Sequence, residues 1–544
     1  MLEGLRYKFN KRFLAFWLVL RVHFDALKLA PHAYLTATKW RILGKKVRAR
    51  GQFAPLLSRS PRAYELWSNL EARAQRDDDL PGDDKCPIVA LIRDQGNARY
   101  LAASIDSVSS QGFAFLVIPE AGEDNREDLL AAINWPDYQW VMPIVAGDKV
   151  ARNSAAQYSN SIAQAPPGAR IIYADDDHLD RWEQRKKPHF KPDWNADLCQ
   201  HHDFLMHSCI IRTDRDDLSA AMAGPDWPHA LLERALADGG TPEHLPRVLH
   251  HRCARQHPSL PLPAATVADA LPKVSVIIPT RNGTDLLRTC ITGLHATDYP
   301  EIEIIIVDNG SDDPGTLAYL ECLEKQSIKV LPQPGPFNYS ALNNRAVEVA
   351  SGDLLCLLNN DIEVLSPDWL SIMATQAMRP DIGAVGAQLL YPDGRIQHAG
   401  VVIGVGNAAG HAHRFLRPED EGYFRRHALP QFVSAVTAAC LVVRKDRFLA
   451  AGGLDETNFP VAFNDVDLCL RLNRHGWQSF YEPRAVLVHH ESVSRGDDRD
   501  PVGAARFAGE LAALQRIWRT DEITDPFHHP NLSRASEQFT LGLL

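Results

Sequence analysis

Five apolar residues, Leu354-Leu355-Cys356-Leu357-Leu358, end abruptly in Asn359-Asn360-Asp361, and this stretch constrains the fold of the chain more than any other. A run that short, opened by Ser351-Gly352-Asp353, reads as a strand buried on both faces. Strands of that kind belong to helix-covered sheets, which bind ligands beyond the carboxyl ends of their strands. The polar triplet lies at that end. One carboxylate beside two amides suits a hard divalent cation that keeps some waters and takes its other ligands from phosphate. As a simple turn, the same residues would supply only turn chemistry.

The neighbouring chain favours a ligand site. Lys273 to Asn282 reads as a second buried strand closed by Pro279, and Glu301 to Asp313 contains a third that ends in Asp308. Between them Leu286, Leu287, Cys290, Ile291 and Leu294 have helical spacing, which completes a β-α-β unit. Further on come a strand at Ala439–Arg444, the turn Gly452-Gly453, the acidic segment Phe463–Leu472, and an apolar run from Ala485 that ends in His489-His490. In this order and spacing the set resembles the family-2 inverting glycosyltransferases of GT-A fold, with bacterial surface-polysaccharide, O-antigen and rhamnosyl transferases the nearest kind. The resemblance spans residues 272–500.

That resemblance implies roles residue by residue. Asp361 is the metal-binding carboxylate of a DXD-like motif whose first acidic position is Asn359 here, with Asn360 between them. Asp308 contacts the base or ribose of a nucleotide. Pro279, Thr280 and Asn282 line the first strand–helix turn against the nucleotide. Asp465 is the catalytic base. A histidine of the His489-His490 pair completes a Mn²⁺ or Mg²⁺ site, and strand alternation turns one of the two inward. Apart from the resemblance, Arg495 nearby is placed either to pair with phosphate or to form a surface salt bridge. Asp465 also falls in the first turn of a predicted helix, where backbone amides favour negative charge. An ionised carboxylate is a weak base for a sugar hydroxyl, so proton transfer has to be concerted with attack.

At 544 residues the chain exceeds one core, and its 45% hydrophobic and 23% charged content is ordinary for a globular protein. Nine cysteines are scattered without a CxxC pair, which favours reduced thiols in the cytoplasm over a disulfide framework or zinc site. No run reaches the roughly 20 apolar residues of a membrane span, and no cleavage site follows the basic start. Residues 1–50 carry 12 Lys and Arg against 2 Asp and Glu, a charge of +10 in a chain whose total is −10, so the remainder carries −20. Tyr7, Phe9, Phe13, Phe16, Trp17 and Phe24 are interleaved with those cations, a pattern expected at the inner face of an anionic membrane. Nucleic acid is not expected, because no recognition fold accompanies the basic arm.

The expected organisation is a basic helical region at 1–80, a first α/β region at 86–253, a Pro-rich linker at 254–272, a catalytic GT-A domain at 273–500 and a helical tail at 501–544. The first α/β region reads as a faded copy of the second. Ile88–Asn97 parallels the strand at 274–283, and Gln139–Asp148 parallels the strand that ends in Asp361, with Ala146-Gly147-Asp148 replacing the polar triplet. No counterpart of the Asp465 segment or of His489-His490 is legible there. The fold expected is therefore α/β, a GT-A domain preceded by a degenerate GT-A-like one. The partners expected are a nucleotide sugar (UDP-hexose or dTDP-rhamnose) and a lipid-linked or polysaccharide acceptor. The rival expectations are two active halves, or a non-catalytic glycan-binding scaffold.

Overall fold

The computed structural model describes residues 2–74, 86–119, 126–490 and 501–543. Arg495, the polar stretch Arg76 to Lys85, the last ten positions of 273–500 and the side chains of Tyr7, Phe9 and Phe13 lie outside this description. In the first half, strands β1 (Ile88–Arg93), β2 (Ala114–Ile118), β3 (Trp140–Val145), β4 (Lys149–Val150), β5 (Ile171–Leu179), β6 (Arg185–His189), β7 (Cys209–Arg212) and β8 (Glu243–Arg252) make one sheet. Its order is β2-β1-β3-β7-β5-β8-β4, with β6 on β5.

The second half begins with β9 (Val274–Thr280), β10 (Ile302–Asp308), β11 (Lys329–Pro332), β12 (Leu354–Leu358), β13 (Ile362–Val364) and β14 (Ile382–Leu390). It continues with β15 (Ile396–His398), β16 (Val401–Ile403), β17 (Ala409–His411), β18 (Gln431–Val433), β19 (Cys440–Arg444) and β20 (Gln478–His489). The sheet order is β11-β10-β9-β12-β19-β14-β20-β13, with β15 on β14 and β18 on β20; β16 and β17 form a separate ribbon.

The two orders match strand for strand. β2, β1, β3, β7, β5, β8 and β4 take the places of β10, β9, β12, β19, β14, β20 and β13. Every shared pairing has the same parallel or antiparallel sense. The repeat glimpsed in sequence is therefore an architectural duplication, and the chain is two α/β units in tandem.

Burial explains why the second sheet forms where it does. All five residues of β12 are fully buried, and a core cluster covers each face of the sheet. Burying a leucine side chain stabilises by about 1.5–3 kcal/mol, whereas sealing in an unpaired amide costs about 1–3 kcal/mol. A one-residue slip of β12 would trade the first for the second, so the boundary between Leu358 and Asn359 is fixed. The helix Thr284–His295 covers the sheet with Leu287, Cys290, Ile291 and Leu294, the periodic positions in its sequence. All nine cysteines are unpaired thiols.

Four helices, Leu2–Leu29, Pro31–Ile42, Lys46–Ser58 and Ala63–Ala74, form the N-terminal region and share a small core of Leu18, Val22, Ala26, Phe53, Leu57 and Leu66. No regular element lies between Arg252 and Val274. Among the described residues, no helix is long and apolar enough to cross a membrane. The C-terminal segment differs from expectation, because only Pro501–Trp518 is helical. Pro526 and Pro530 lack the N–H that would continue a helix, and residues 519–543 instead thread back across the molecule. Leu532 and Phe539 join Tyr64, Trp67 and Phe190 in one junction cluster, and the Leu541 N–H donates to Ser58 Oγ.

The two halves are clamped by side chains. Arg379 forks onto both oxygens of Asp197 at 2.7 and 2.9 Å, and Asn195 exchanges hydrogen bonds with the backbone of Phe432. His529 of the C-terminal segment faces buried Asp175 at 2.9 Å, and His244 donates from the other side at 3.1 Å. Asp175, His244 and His529 have the spacing of a metal site. However, His529 Nδ1 accepts the Asn531 N–H, so its Nε2 carries the ring proton and offers no lone pair. His244 meanwhile places both ring nitrogens on carboxylates, those of Asp175 and Asp193. Burial alone would raise the Asp175 carboxyl, but His529 and His244 hold it well below the usual range. The cluster is a buried polar tie between the first half and the C-terminal segment, its ionic part carried by His244 between Asp175 and Asp193.

Candidate functional site

The parallel strands β10, β9 and β12 run side by side, with Asp308 beside Thr280 and Leu354 beside Val274, so their carboxyl ends share one edge. A cleft of about 270 Å³ opens there. Pro279, Thr280, Asn359, Asn360 and Asp361 line it, joined by Arg281, Asn309, Tyr339 and Arg506. Asn360 Nδ2 donates to Thr280 Oγ1 at 2.9 Å and so stitches the ends of β12 and β9 together.

Asp361 lies one residue before β13, and the pairing of Ile362 with His489 brings the end of β20 against it. His489 Nε2 is 3.1 Å from Asp361 Oδ1 and 3.2 Å from Asn359 Nδ2. Its Nδ1 is 2.7 Å from Gln397 Oε1, an atom that can only accept, so the ring proton sits on Nδ1. Nε2 therefore turns a lone pair toward the Asp361 carboxylate. Two acceptors facing each other at that distance, with the imidazole oriented by an outer amide, fit a divalent cation with mixed nitrogen and oxygen ligands. His490 is placed differently: its Nε2 is 2.9 Å from Glu363 Oε2, away from Asp361, while its N–H donates to the Asp361 carbonyl. Of the two candidate histidines, His489 is the one at the cluster.

Asp465 stands in the first turn of the helix Asn464–Arg474. Its Oδ2 accepts the Ala438 N–H at 3.0 Å, and its Oδ1 accepts from its own helix at Val466. The Ala438 carbonyl takes the Tyr339 hydroxyl at 2.8 Å, and the next carbonyl, of Ala439, takes the Asn359 N–H at 3.0 Å. Asp465 does not line the cleft itself. Two residues of backbone tie it to the strand end that does. The Asp467–Arg471 pair is also present, at 2.7 Å, one helical turn along.

Asp308 and Asn282 serve the loops rather than the cleft wall. The Asp308 carboxylate accepts from the Ser311 N–H and hydroxyl. Asn282, at φ +56°, accepts from the N–H groups of Asp312 and Asp313 and so brackets two loops. Several wall residues escaped the sequence reading. Gln397, which stands behind His489 rather than on the wall, lies in the undeciphered stretch 395–430, and the wall residue Tyr339 opens a helix. Arg506 comes from the C-terminal helix, where it is 3.6 Å from Glu510, a buried acid that also accepts the Val461 and Ala462 N–H groups. Arg281 was the legible one, as a cation between two residues already singled out.

The same place in the first half is built differently. Asp148 follows β3 as Asp361 follows β12, and His251 pairs with Lys149 as His489 pairs with Ile362. A histidine therefore does occupy the equivalent register, which the sequence alone did not reveal. It turns instead to Asp177, 2.7 Å away. Asp148 accepts the Cys253 N–H at 2.7 Å and has Arg252 3.9 Å away. Burial raises its carboxyl to about 6, with Arg252 and the Cys253 N–H pulling the other way. Gly147, at φ +105°, is walled in, since a Cβ there would lie 3.2 Å from Cys253 Sγ and 3.4 Å from Tyr100. The helix corresponding to Asn464–Arg474 is Trp227–Ala237, which opens on Trp227-Pro228-His229 and has no acid in its first turn.

The carboxyl edge of the second sheet thus brings together a cleft, a carboxylate–imidazole cluster and, behind them, a helix-borne acid. Residues 275–446 match the model of Glycosyl transferase family 2, and the chain carries a domain of that family. Uncharacterized protein y4gI of Sinorhizobium fredii is 39% identical over 70% of this chain and 47% of its own length. O-antigen biosynthesis protein RfbC of Myxococcus xanthus is 35% identical over 68% of this chain and 32% of its own. The chain thus spans less than half the length of either. N-acetylglucosaminyl-diphospho-decaprenol L-rhamnosyltransferase of Mycobacterium tuberculosis is 29% identical over 43% of this chain and 80% of its own length.

Proposed function

We propose that this chain is an inverting glycosyltransferase that moves a sugar from a UDP-hexose or dTDP-rhamnose onto a lipid-linked glycan during surface-polysaccharide assembly. The observation that carries this reading is the convergence of Asp361, Asn359 and His489 at the end of β12, with Asp465 tied to the same strand end through Ala438 and Ala439. Asp361 and His489 would hold Mn²⁺, or less readily Mg²⁺, and such an ion supplies Lewis-acid stabilisation of a departing diphosphate. Asn359 in place of a second carboxylate lowers the charge of that site. Arg281 and Arg506 bring positive charge to the same cleft for phosphate oxygens. Asp465 takes the proton of the acceptor hydroxyl as that oxygen attacks the anomeric carbon opposite the leaving group, which inverts the centre.

The test is a screen over nucleotide sugars with a lipid-linked acceptor, read as released nucleoside diphosphate and product mass. Transfer is expected from one donor, lost with chelator and restored by Mn²⁺. Full activity in excess chelator would overturn the assignment of Asp361 and His489.

The proposed workplace is the inner face of the cytoplasmic membrane. The helix Leu2–Leu29 buries Leu18, Val22 and Ala26 on one side. On the opposite side it exposes Phe16, Leu20 and Phe24, at 63, 53 and 58%, with Arg21 and Lys28 flanking. A Phe16→Ser/Leu20→Ser/Phe24→Ser variant leaves the buried side intact. It is expected to lose co-flotation with anionic vesicles, while the wild type floats less as salt rises. Equal flotation of the two proteins would remove the membrane from this proposal.

A further inference from the structure

A second cleft, of about 460 Å³, lies where the first half, the 254–272 connector and the second half meet. Lys187 and His178 reach it from the first half, Arg255 and His257 from the connector, and Glu421 and Phe424 from the loop after β17. Arg255 is its most telling residue. The side chain is only 8% exposed, its Nε donates to Asp176 and its Nη1 to the Lys187 carbonyl, each at 2.5 Å. Its Nη2 is buried with no hydrogen-bond partner. Asp176 is also the counter-ion of buried Lys191, 3.0 Å away, so two buried cations share one carboxylate and positive charge is left over. Lys187 adds to it, and Glu421, the one acid lining the cleft among the described residues, is exposed at the rim.

Phe424 supplies the other half of the chemistry. It stacks on His189 with ring centroids 3.8 Å apart, and the Arg255 guanidinium lies 5.6 Å from its ring centre. Phe424 and Arg425 both hold left-handed backbone, at φ +51° and +56°, a costly conformation for two successive non-glycine residues. Surplus cation, an unsatisfied guanidinium N–H and an aromatic wall in a cleft of sugar size suit an anionic saccharide.

We propose that this cleft binds a sugar bearing a phosphate or carboxylate, with the Arg255 Nη2 and Lys187 Nζ donating to the anion. Only its use, recognising an acidic unit of the acceptor glycan, rests on the transferase reading. Titration calorimetry on the full chain tests it with glucose 6-phosphate, glucuronate and methyl glucoside. At least one anionic sugar is expected to bind about tenfold or more tighter than the neutral one, and which one separates phosphate from carboxylate. Lys187→Gln, at an exposed position, is expected to weaken that binding several-fold with unchanged melting, and Arg255→Gln to abolish it. Asp361→Ala, which disables the donor cleft, should bind as the wild type does. Equal affinity for methyl glucoside, wild-type binding by folded Lys187→Gln, or loss of binding in Asp361→Ala would each overturn the proposal.

Discussion

The two sheets of this chain share one strand order and the same set of pairings, yet the carboxyl edge of one is open and that of the other is closed. In the second half, Asn359-Asn360-Asp361 faces a cleft, and His489 presents a lone pair to the carboxylate. In the first half, Ala146-Gly147-Asp148 meets Cys253 and Tyr100, the carboxylate takes a backbone N–H, and Arg252 stands nearby. A guanidinium beside an acid does electrostatically what a cation would do, but it cannot exchange ligands with a substrate. The comparison teaches that strand topology sets where a site can form, while three or four side chains decide whether one does.

The sharpest way to break the contrast is at the proposed base. Asp465→Asn keeps shape and can still accept the Ala438 N–H, so folding should be intact while transfer falls about 10²–10⁴-fold. Stopped-assay kcat on purified protein decides it. A variant that keeps half of wild-type kcat would mean that Asp465 is not the base, and the helix Trp227–Ala237, which has no acid in its first turn, would cease to distinguish the halves.

A smaller effect sharpens the comparison at the imidazoles. Gln397→Ala removes the acceptor that fixes His489 and should weaken Mn²⁺ binding about 10–100-fold. Substituting Asp177, the partner of His251, should leave Mn²⁺ affinity unchanged. Manganese titration followed by paramagnetic resonance reads both. Equal loss in the two variants would place a working metal site in the first half.

The sequence disclosed the second half well because its strands are short, apolar and bounded by polar triplets, which makes their ends visible. It disclosed Asp361 for the same reason. Gln397 and Arg506 were hidden because they reach the site from elements distant in sequence, and no local pattern marks a side chain that acts across the fold. His251 was missed because the pair His250-His251 falls one residue earlier in register than His489-His490, and only strand register shows which histidine matches. The helical pattern at 504–518 was legible and the helix does end at Trp518, but no local pattern shows that the chain beyond it, broken at Asp525-Pro526, returns to the first half, where the Pro526 carbonyl accepts the Asp193 N–H.

The smallest effect is expected at Asp148, and it carries the most information about the first half. Burial raises its carboxyl from an ordinary 3.8 to about 6. Between those values the unfolded chain has released a proton that the folded chain retains, so ionisation favours unfolding. The stability supplied by the neutral acid is fully present below about pH 4 and is lost as pH rises through 6, by at most about 3 kcal/mol. Asp148→Asn mimics the neutral acid and can still accept the Cys253 N–H. Its melting temperature should therefore match the wild type below about pH 4 and exceed it by a few degrees at pH 8, as scanning calorimetry would register. Transfer should stay within about twofold of wild type, because Ala146 and Gly147 offer no side-chain ligands and one buried acid paired to Arg252 holds a cation poorly. A pH-independent difference in melting would refute the buried neutral acid. A tenfold fall in transfer, or loss of one of two sugars from the product, would show that the closed edge is a second working centre.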